Sequence, residues 1–476
     1  MNDALALQDQ QRIAESAAHR DGLRGGLAAF DAWFAAYGRQ CYTQVERVPL
    51  DELDGWVTDP DTGDLHHHTG RFFTVHGLEV GRPGTPVPLW TQPIIDQPEV
   101  GILGILARRI EGVLHFLMQA KAEPGNAGGL QLSPTVQATR SNYTRAHRGG
   151  SVPYLEHFQD IHRRPGVLAD VRQSEQGAWF YRKRNRNVVI ETRDEVEVLE
   201  GYRWMTLGQI HRLLSRDDVV NMDARTVLAC LPFTGAGGSH RPGKGDGDGF
   251  AAALRRSGEA QAPAVHHMRD ILSWITEMRT TTDVATRRLP LAALPAWQRT
   301  PQRITHESGA FFDVIGVRVS ARGREVRSWC QPMIEPADRG VVAFLTRTVE
   351  GVLHVLVHAR AEAGFADVVE LAPTVQCIPS SYRALPPQAL PPFLPEVLDA
   401  PAERIRFDTV LSEEGGRFHR AHNRYLVVEA SAEVPMDHPE YRWMTLHQLA
   451  GLLRHSHYVN VQARSLVACL HSLYGA

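Results

Sequence analysis

The stretch Tyr202-Arg203-Trp204-Met205-Thr206-Leu207 returns unchanged as Tyr441-Arg442-Trp443-Met444-Thr445-Leu446. The shift that carries Tyr202 to Tyr441 also carries Gln92-Pro93 to Gln331-Pro332, Glu111-Gly112-Val113-Leu114-His115 to Glu350-Gly351-Val352-Leu353-His354, and Pro134-Thr135-Val136-Gln137 to Pro373-Thr374-Val375-Gln376. It takes Asn221, Arg225 and Cys230 to Asn460, Arg464 and Cys469. With one residue dropped, it aligns Ser174-Glu175, Gly177, Phe180, Arg182, Asn185 and Arg186 with Ser412-Glu413, Gly415, Phe418, Arg420, Asn423 and Arg424. So long a period exceeds any solenoid repeat and fits a domain duplicated in tandem. The expected organisation is a first copy over 1–235, a glycine-rich linker over 236–260, and a second copy over 261–476.

Within each copy the patterning alternates between strand and helix. Amphipathic helices are expected from about Gly25 to Ala36 and from about His266 to Met278, opening each copy, with strands over Gly70–Val75 and Gly309–Val314. Apolar runs at Val100–Leu106 and Val113–Ala120, split by Glu111-Gly112, predict a hairpin; Leu130–Thr139 and Asn187–Glu191 predict further strands. Thr206 with Gln209, and Thr445 with Gln448, have the spacing of a capping box, and Asp223 is a candidate cap for a closing helix. Each half therefore reads as α+β, a sheet-centred core with helices at its ends.

Composition narrows the function classes. The 476 residues carry 22% charged and 43% hydrophobic side chains with a net charge of −3, so no overall field draws the chain to nucleic acid or an anionic membrane. No run reaches the roughly 20 apolar residues of a membrane span, and the N-terminus lacks a signal-peptide pattern, so a cytoplasmic location is expected. Five cysteines form no CxxC pair and are expected to be reduced. Despite 23 histidines there is no HExxH spacing, no GxSxG elbow and no Walker loop, and no metal is expected.

The residues retained outside obvious core positions point to a site. Both copies place a basic residue and a carboxylate two apart at the end of an apolar strand, Lys121 with Glu123 and Arg360 with Glu362. Strand alternation puts each pair on one face. Each copy follows with Ser141 and Tyr143, or Ser380 and Tyr382, and then with a basic run containing Arg182 and Arg186, or Arg420 and Arg424. Guanidinium groups hold phosphate oxygens through paired hydrogen bonds, so these four arginines are candidates to clamp a diphosphate; a surface salt-bridge network inherited by both copies explains them equally well.

Taken together, Gly70-Arg71-Phe72-Phe73, the Thr-Val-Gln strand with Arg140-Ser141-Asn142-Tyr143, the Arg-Asn-Arg run, the repeated hexapeptide and Val220–Leu231 resemble the NDP-hexose 2,3-dehydratases over nearly the whole chain, duplication included. The resemblance implies that each half is a Nudix-hydrolase-like domain, a mixed sheet with flanking helices. The Nudix box that holds metal for pyrophosphate cleavage is missing, so a diphosphate sugar would be bound and kept intact. The implied activity removes water across C2–C3 of dTDP-4-keto-6-deoxyglucose in deoxysugar biosynthesis, with no cofactor. The product would pass to a 3-ketoreductase, and a homodimer is the expected assembly. In that chemistry a base takes the C3 proton beside the C4 carbonyl and an acid assists loss of the C2 hydroxyl. The candidates for these roles are Lys121, Glu123, Tyr143 and Tyr382, with Glu362 beside them. Nucleotide-sugar contacts are expected from Trp56, Arg140, Ser141, Asn142, Tyr143 and Thr144, from Trp297, and from Arg360, Thr374, Gln376, Ser381, Tyr382 and Arg417. Because lysine can exchange a proton and arginine essentially cannot, the first copy, with Lys121, is expected to host catalysis. An inert nucleotide-sugar sensor and a metal-dependent pyrophosphatase stay open as alternatives.

Overall fold

The computed structural model describes residues 2–21, 25–139, 152–232, 249–322 and 326–475. The first half runs α1 (Asn2–Ala18), α2 (Gly26–Gly38), β1 (Tyr42–Val48), β2 (Trp56–Thr58), β3 (Leu65–His67), β4 (Thr74–Gly81), β5 (Leu89–Asp96), β6 (Gly101–Ile110), β7 (Val113–Ala122), β8 (Leu130–Ser133), β9 (Val136–Ala138), β10 (Val167–Ser174), β11 (Arg184–Thr192), β12 (Tyr202–Thr206), α3 (Leu207–Leu214) and α4 (Met222–Ala229). The second half repeats this order as α5 (Gly249–Ser257), α6 (Met268–Thr281), β13 (Ala285–Leu289), β14 (Trp297–Arg299), β15 (Arg303–His306), β16 (Phe312–Arg322), β17 (Ser328–Pro336), β18 (Gly340–Val349), β19 (Val352–Ala361), β20 (Val369–Ala372), β21 (Val375–Cys377), a short α7 (Leu394–Leu398), β22 (Ile405–Ser412), β23 (His422–Glu429), β24 (Tyr441–Met444), α8 (Leu446–Leu453) and α9 (Val461–Ser472).

Each half builds a seven-stranded mixed sheet. The first has the order β10-β11-β6-β7-β12, with β8 on β7 and β9 on β6; the second has β22-β23-β18-β19-β20, with β21 on β18 and β24 on β19. Pairing is antiparallel except between β6 and β11 and between β18 and β23. The expected hairpin forms, and its turn needs left-handed backbone at both central residues: φ is 50° at Glu111 and 86° at Gly112, and 50° and 73° at Glu350 and Gly351. The single strand expected over Leu130–Thr139 is two, because Pro134 cannot donate to a ladder. The Thr135 hydroxyl closes the gap, accepting the Leu106 N–H at 2.8 Å and donating to the Leu117 carbonyl. The strands expected over Gly70–Val75 and Gly309–Val314 begin only at Thr74 and Phe312, since Phe72 and Phe311 turn the chain at φ 78° and 74°.

Both capping boxes are present, Thr206 with Gln209 and Thr445 with Gln448. Asp223 is not the cap of α4. Asn221 is, its side chain accepting the Ala224 N–H at 2.8 Å, as Asn460 accepts that of Ala463 at 2.9 Å. The copies also begin earlier than the patterning suggests. α5 lies inside the stretch expected as linker, yet Phe250, Ala253 and Leu254 are core residues, and Ser257 accepts the Leu446 N–H at 2.9 Å just as Ser16 of α1 accepts that of Leu207.

The halves are interlocked. β1 pairs antiparallel with β16, Tyr42 opposite Arg322 and Val48 opposite Gly316, while β13 pairs with β4, Ala285 opposite Gly81 and Leu289 opposite Gly77. The first strand of each half therefore completes a small sheet of the other. Glycine at the crossing makes this possible: a Cβ on Gly316 would lie 2.6 Å from the Val48 carbonyl oxygen, and one on Gly77 2.9 Å from that of Leu289. One apolar core takes side chains from both seven-stranded sheets and from α1 to α6, α8 and α9. Within the molecule, α4 and α9 exchange arginines. Arg225 donates to the carbonyls of Val220 and Ser412, both at 2.6 Å, and Arg464 to those of Val459 at 2.7 Å and Ser174 at 2.5 Å. Among the described residues, no helix is long and apolar enough to cross a membrane.

Candidate active site

Lys121 is the penultimate residue of β7, and the chain continues past Ala122 through Glu123-Pro124-Gly125. Alternation sends Lys121 and Glu123 to the same face, where both are more than nine-tenths buried. Gln137 of β9 bridges them: Lys121 Nζ donates to Gln137 Oε1 at 2.9 Å, Gln137 Nε2 donates to Glu123 Oε1 at 3.0 Å, and the ion pair itself measures 3.4 Å. Pairing and hydrogen bonding of this kind are what make a buried ion pair tolerable. The second copy wires the same positions differently. Arg360 Nε reaches Glu362 Oε1 at 2.7 Å and Gln376 Nε2 donates to the same oxygen at 2.9 Å, leaving Gln376 Oε1 to accept the Asn460 amide at 2.7 Å.

Each cleft is closed by the opposite half. The Gly125 N–H donates to the Gly415 carbonyl at 2.7 Å and the Arg420 N–H to the Gly125 carbonyl at 2.8 Å; Gly364, Gly177 and Arg182 repeat this on the other side at 2.7 and 2.8 Å. No side chain fits there, since a Cβ on Gly125 would lie 1.8 Å from the Phe418 oxygen and one on Gly364 1.7 Å from that of Phe180. The segment 414–420 thus serves the first-copy cleft and 176–182 the second-copy cleft. Arg417, expected at the second-copy ligand, accordingly lies over the Phe73 ring, 4.4 Å from its centroid, on the first half.

The electrostatics differ between clefts. Around Lys121 and Glu123 gather Glu175, Asp223 and Glu414. Burial, reinforced by Glu175, Glu123 and Glu414, drives Asp223 well above the usual carboxylate range, and burial with the Glu123 charge pushes Glu414 up to about 7. Gln462 and Gln176 stand at the corresponding places of the second copy. There Tyr382 is raised by burial, with Arg360 opposing, and His358, stacked on Tyr441 at 4.4 Å, is held neutral by burial and by Arg360 and Arg82. Glu370 is pushed up to about 7 by burial although Ser174 donates to it at 2.5 Å.

Several expected site residues are occupied elsewhere. Arg186 and Arg424 make two-pronged pairs with Asp170 and Asp408 across the β10–β11 and β22–β23 ladders, at 2.6 to 2.8 Å, so their forks are taken up by those carboxylates. Arg182 and Arg420 are separated, each beside the glycine of a different cleft. Thr374, 1% exposed, repeats the Thr135 strand bridge between Leu345 and Leu356. Trp56 and Trp297 tie the halves together: their indole N–H groups donate to the Cys330 and Thr91 carbonyls at 2.7 and 2.8 Å, and their rings lean on Phe73 and Phe312. Ser381 is buried next to Tyr382, its hydroxyl unpartnered among the described residues. Arg140, Ser141, Asn142, Tyr143 and Thr144 lie outside the described residues.

Patterning alone missed Gln137, Asp223 and Glu414 as site residues. Gln137 was signalled by the repeated Pro-Thr-Val-Gln. Glu414 was signalled by its difference from Gln176 next to a retained Ser-Glu pair. A cavity of about 640 Å³ lined by Trp33, Arg108, Arg203 and Trp204 lies by the Glu111–Gly112 turn, at the end of β7 remote from Lys121.

Two related halves, each closing the other's buried cation–carboxylate cleft and sharing acids held near neutrality, define a duplicated α+β enzyme equipped to move protons. Residues 27–231 and 268–470 both match the family model for NDP-hexose 2,3-dehydratases, and the chain belongs to that family of carbon–oxygen lyases. It is 49% identical over 452 residues to a dTDP-4-dehydro-6-deoxy-alpha-D-glucopyranose 2,3-dehydratase of Saccharopolyspora spinosa, covering 94% of this chain and 91% of the relative. Dehydratases of the same name from Amycolatopsis orientalis and Streptomyces violaceoruber are each 47% identical, over 97% and 94% of this chain and 93% and 97% of the relatives.

Proposed function

We propose that this chain removes water across C2–C3 of dTDP-4-keto-6-deoxyglucose, in halves that each carry a Nudix-hydrolase-like fold. The observation that carries this reading is the similarity, along nearly the full length, to dehydratases named for that sugar. The C3 proton is acidified by the C4 carbonyl. The Glu123 carboxylate takes it, and the electron pair moves into a C3–C4 enolate. The Lys121 ammonium, which has three donors and spends one on Gln137, supplies a hydrogen bond to the developing oxygen. The enolate then expels the C2 hydroxyl as water with the help of an acid, leaving a C2–C3 enol that tautomerises to a 3,4-diketo-2,6-dideoxy sugar. That product is the substrate for a ketoreductase acting at C3.

The second-copy cleft, with Arg360, Gln376, Ser381 and Tyr382, holds a nucleotide sugar without turning it over. Supporting this division, Arg360 cannot trade its proton, and two acids of the first-copy cleft are replaced by Gln462 and Gln176. Incubation with dTDP-4-keto-6-deoxyglucose, a 3-ketoreductase and NADPH is expected to give a 2,6-dideoxy sugar; tight binding with no product overturns the reading. Lys121→Ala is expected to lower turnover about 100-fold or more while Arg360→Ala retains it. Lys121→Arg, which copies the second cleft and so preserves the buried pairing, is expected to be folded and slow. Undiminished turnover in Lys121→Ala with a dead Arg360→Ala would reverse the assignment.

A further inference from the structure

We propose that Glu414, contributed by the second half, is the general acid of the first-copy site, protonating the C2 hydroxyl as it leaves. This rests on the reading above that the Lys121–Glu123 cleft performs the elimination. Four observations converge on Glu414. The backbone that carries it is locked against the base: the Gly125 N–H holds the Gly415 carbonyl at 2.7 Å, and a Cβ on Gly415 would lie 3.0 Å from Glu123 Cβ. Its carboxyl is half committed, with Oε1 accepting the Gly416 N–H at 2.9 Å and Oε2 enclosed with no hydrogen-bond partner among the described residues, placed to bear a proton and donate it. Its counterpart Gln176 does not titrate, and its amide is spent on Glu413 at 2.9 Å. Finally, Asp223, which is not the cap of α4, is buried in the same group with Oδ1 unpartnered among the described residues, and the second copy has Gln462 in its place. Two acids of the first-copy cleft therefore have glutamines, which do not titrate, as their counterparts in the second. Glu370 runs the other way, an acid in the second copy where the first has Gln131, but it accepts the Ser174 hydroxyl at 2.5 Å.

Burial and the neighbouring Glu123 place the Glu414 proton near neutrality, where an acid is most effective. The proton balance closes within the cleft. Glu123 gains the C3 proton, the C2–O bond breaks with its electron pair going to oxygen, and Glu414 supplies the proton that makes the departing group water. Transfer from Glu123 to Glu414 then restores both carboxyls without any other reactant.

Glu414→Gln separates the two half-steps and copies Gln176, so it is expected to fold with wild-type melting temperature. In D2O with dTDP-4-keto-6-deoxyglucose, this variant is expected to return substrate deuterated at C3 while product, trapped with a 3-ketoreductase and NADPH, falls at least about 100-fold. Product formation within about threefold of wild type would overturn the assignment; so would loss of product without C3 exchange at unchanged melting temperature, which would place Glu414 with the base. Glu414→Asp, which keeps a titratable group, is expected to recover part of the elimination. A wild-type protein that neither eliminates nor exchanges would overturn the substrate reading instead, and this inference with it.

Discussion

Thr374 shows how one repeated residue carries two meanings until the backbone around it is known. Its hydroxyl accepts the Leu345 N–H at 2.9 Å and donates to the Leu356 carbonyl, holding two strands where Pro373 interrupts the ladder. Thr374→Val keeps the shape and removes both bonds, leaving a buried donor and acceptor unpaired. It is expected to cost about 1–3 kcal/mol in urea unfolding with KM unchanged; a raised KM at unchanged stability would restore Thr374 to the binding site. Arg186 and Arg424 teach the same lesson. Their retention in both copies was legible, but only the strand register, which sets Asp170 and Asp408 diagonally within reach, reveals the salt bridges they make. Lys121 and Glu123 were legible because period-two alternation alone places both on one face.

Among elements, α5 is one that composition concealed. It follows a glycine-rich stretch that reads as linker, and it is only nine residues long, too short for periodicity to stand out. Its partners are far away in sequence: Leu254 is fully enclosed, and Ser257 ends the helix by accepting the Leu446 N–H. Leu254→Ala is therefore expected to lower stability by about 2–4 kcal/mol, read from the urea midpoint, the range for a cavity in a close-packed core; a cost below 1 kcal/mol would mean that α5 is an appendage. Capping boxes, by contrast, were fully legible, because the Thr-x-x-Gln pattern contains both members of the reciprocal hydrogen bonds.

At the scale of the molecule, the two copies are not two independent bodies. β1 and β13 cross into the opposite half, α4 and α9 exchange Arg225 and Arg464, and each cleft borrows its wall from the other copy. Either half alone is expected to expose an unpaired strand edge and aggregate, whereas residues 1–235 and 236–476 co-expressed as separate chains are expected to co-purify in equal amounts and to retain turnover. A soluble, monomeric and active first half would show that the interlock is dispensable. The sequence by itself determined the duplication, the strand and helix types of each copy, and the cation–carboxylate pair at the end of β7 and β19, because these depend on identity between copies and on contacts a few residues apart. The tertiary structure alone decided which half faces which cleft. A strand exchange pairs residues more than two hundred positions apart, and nothing in local periodicity distinguishes an edge that meets its own copy from one that meets the other.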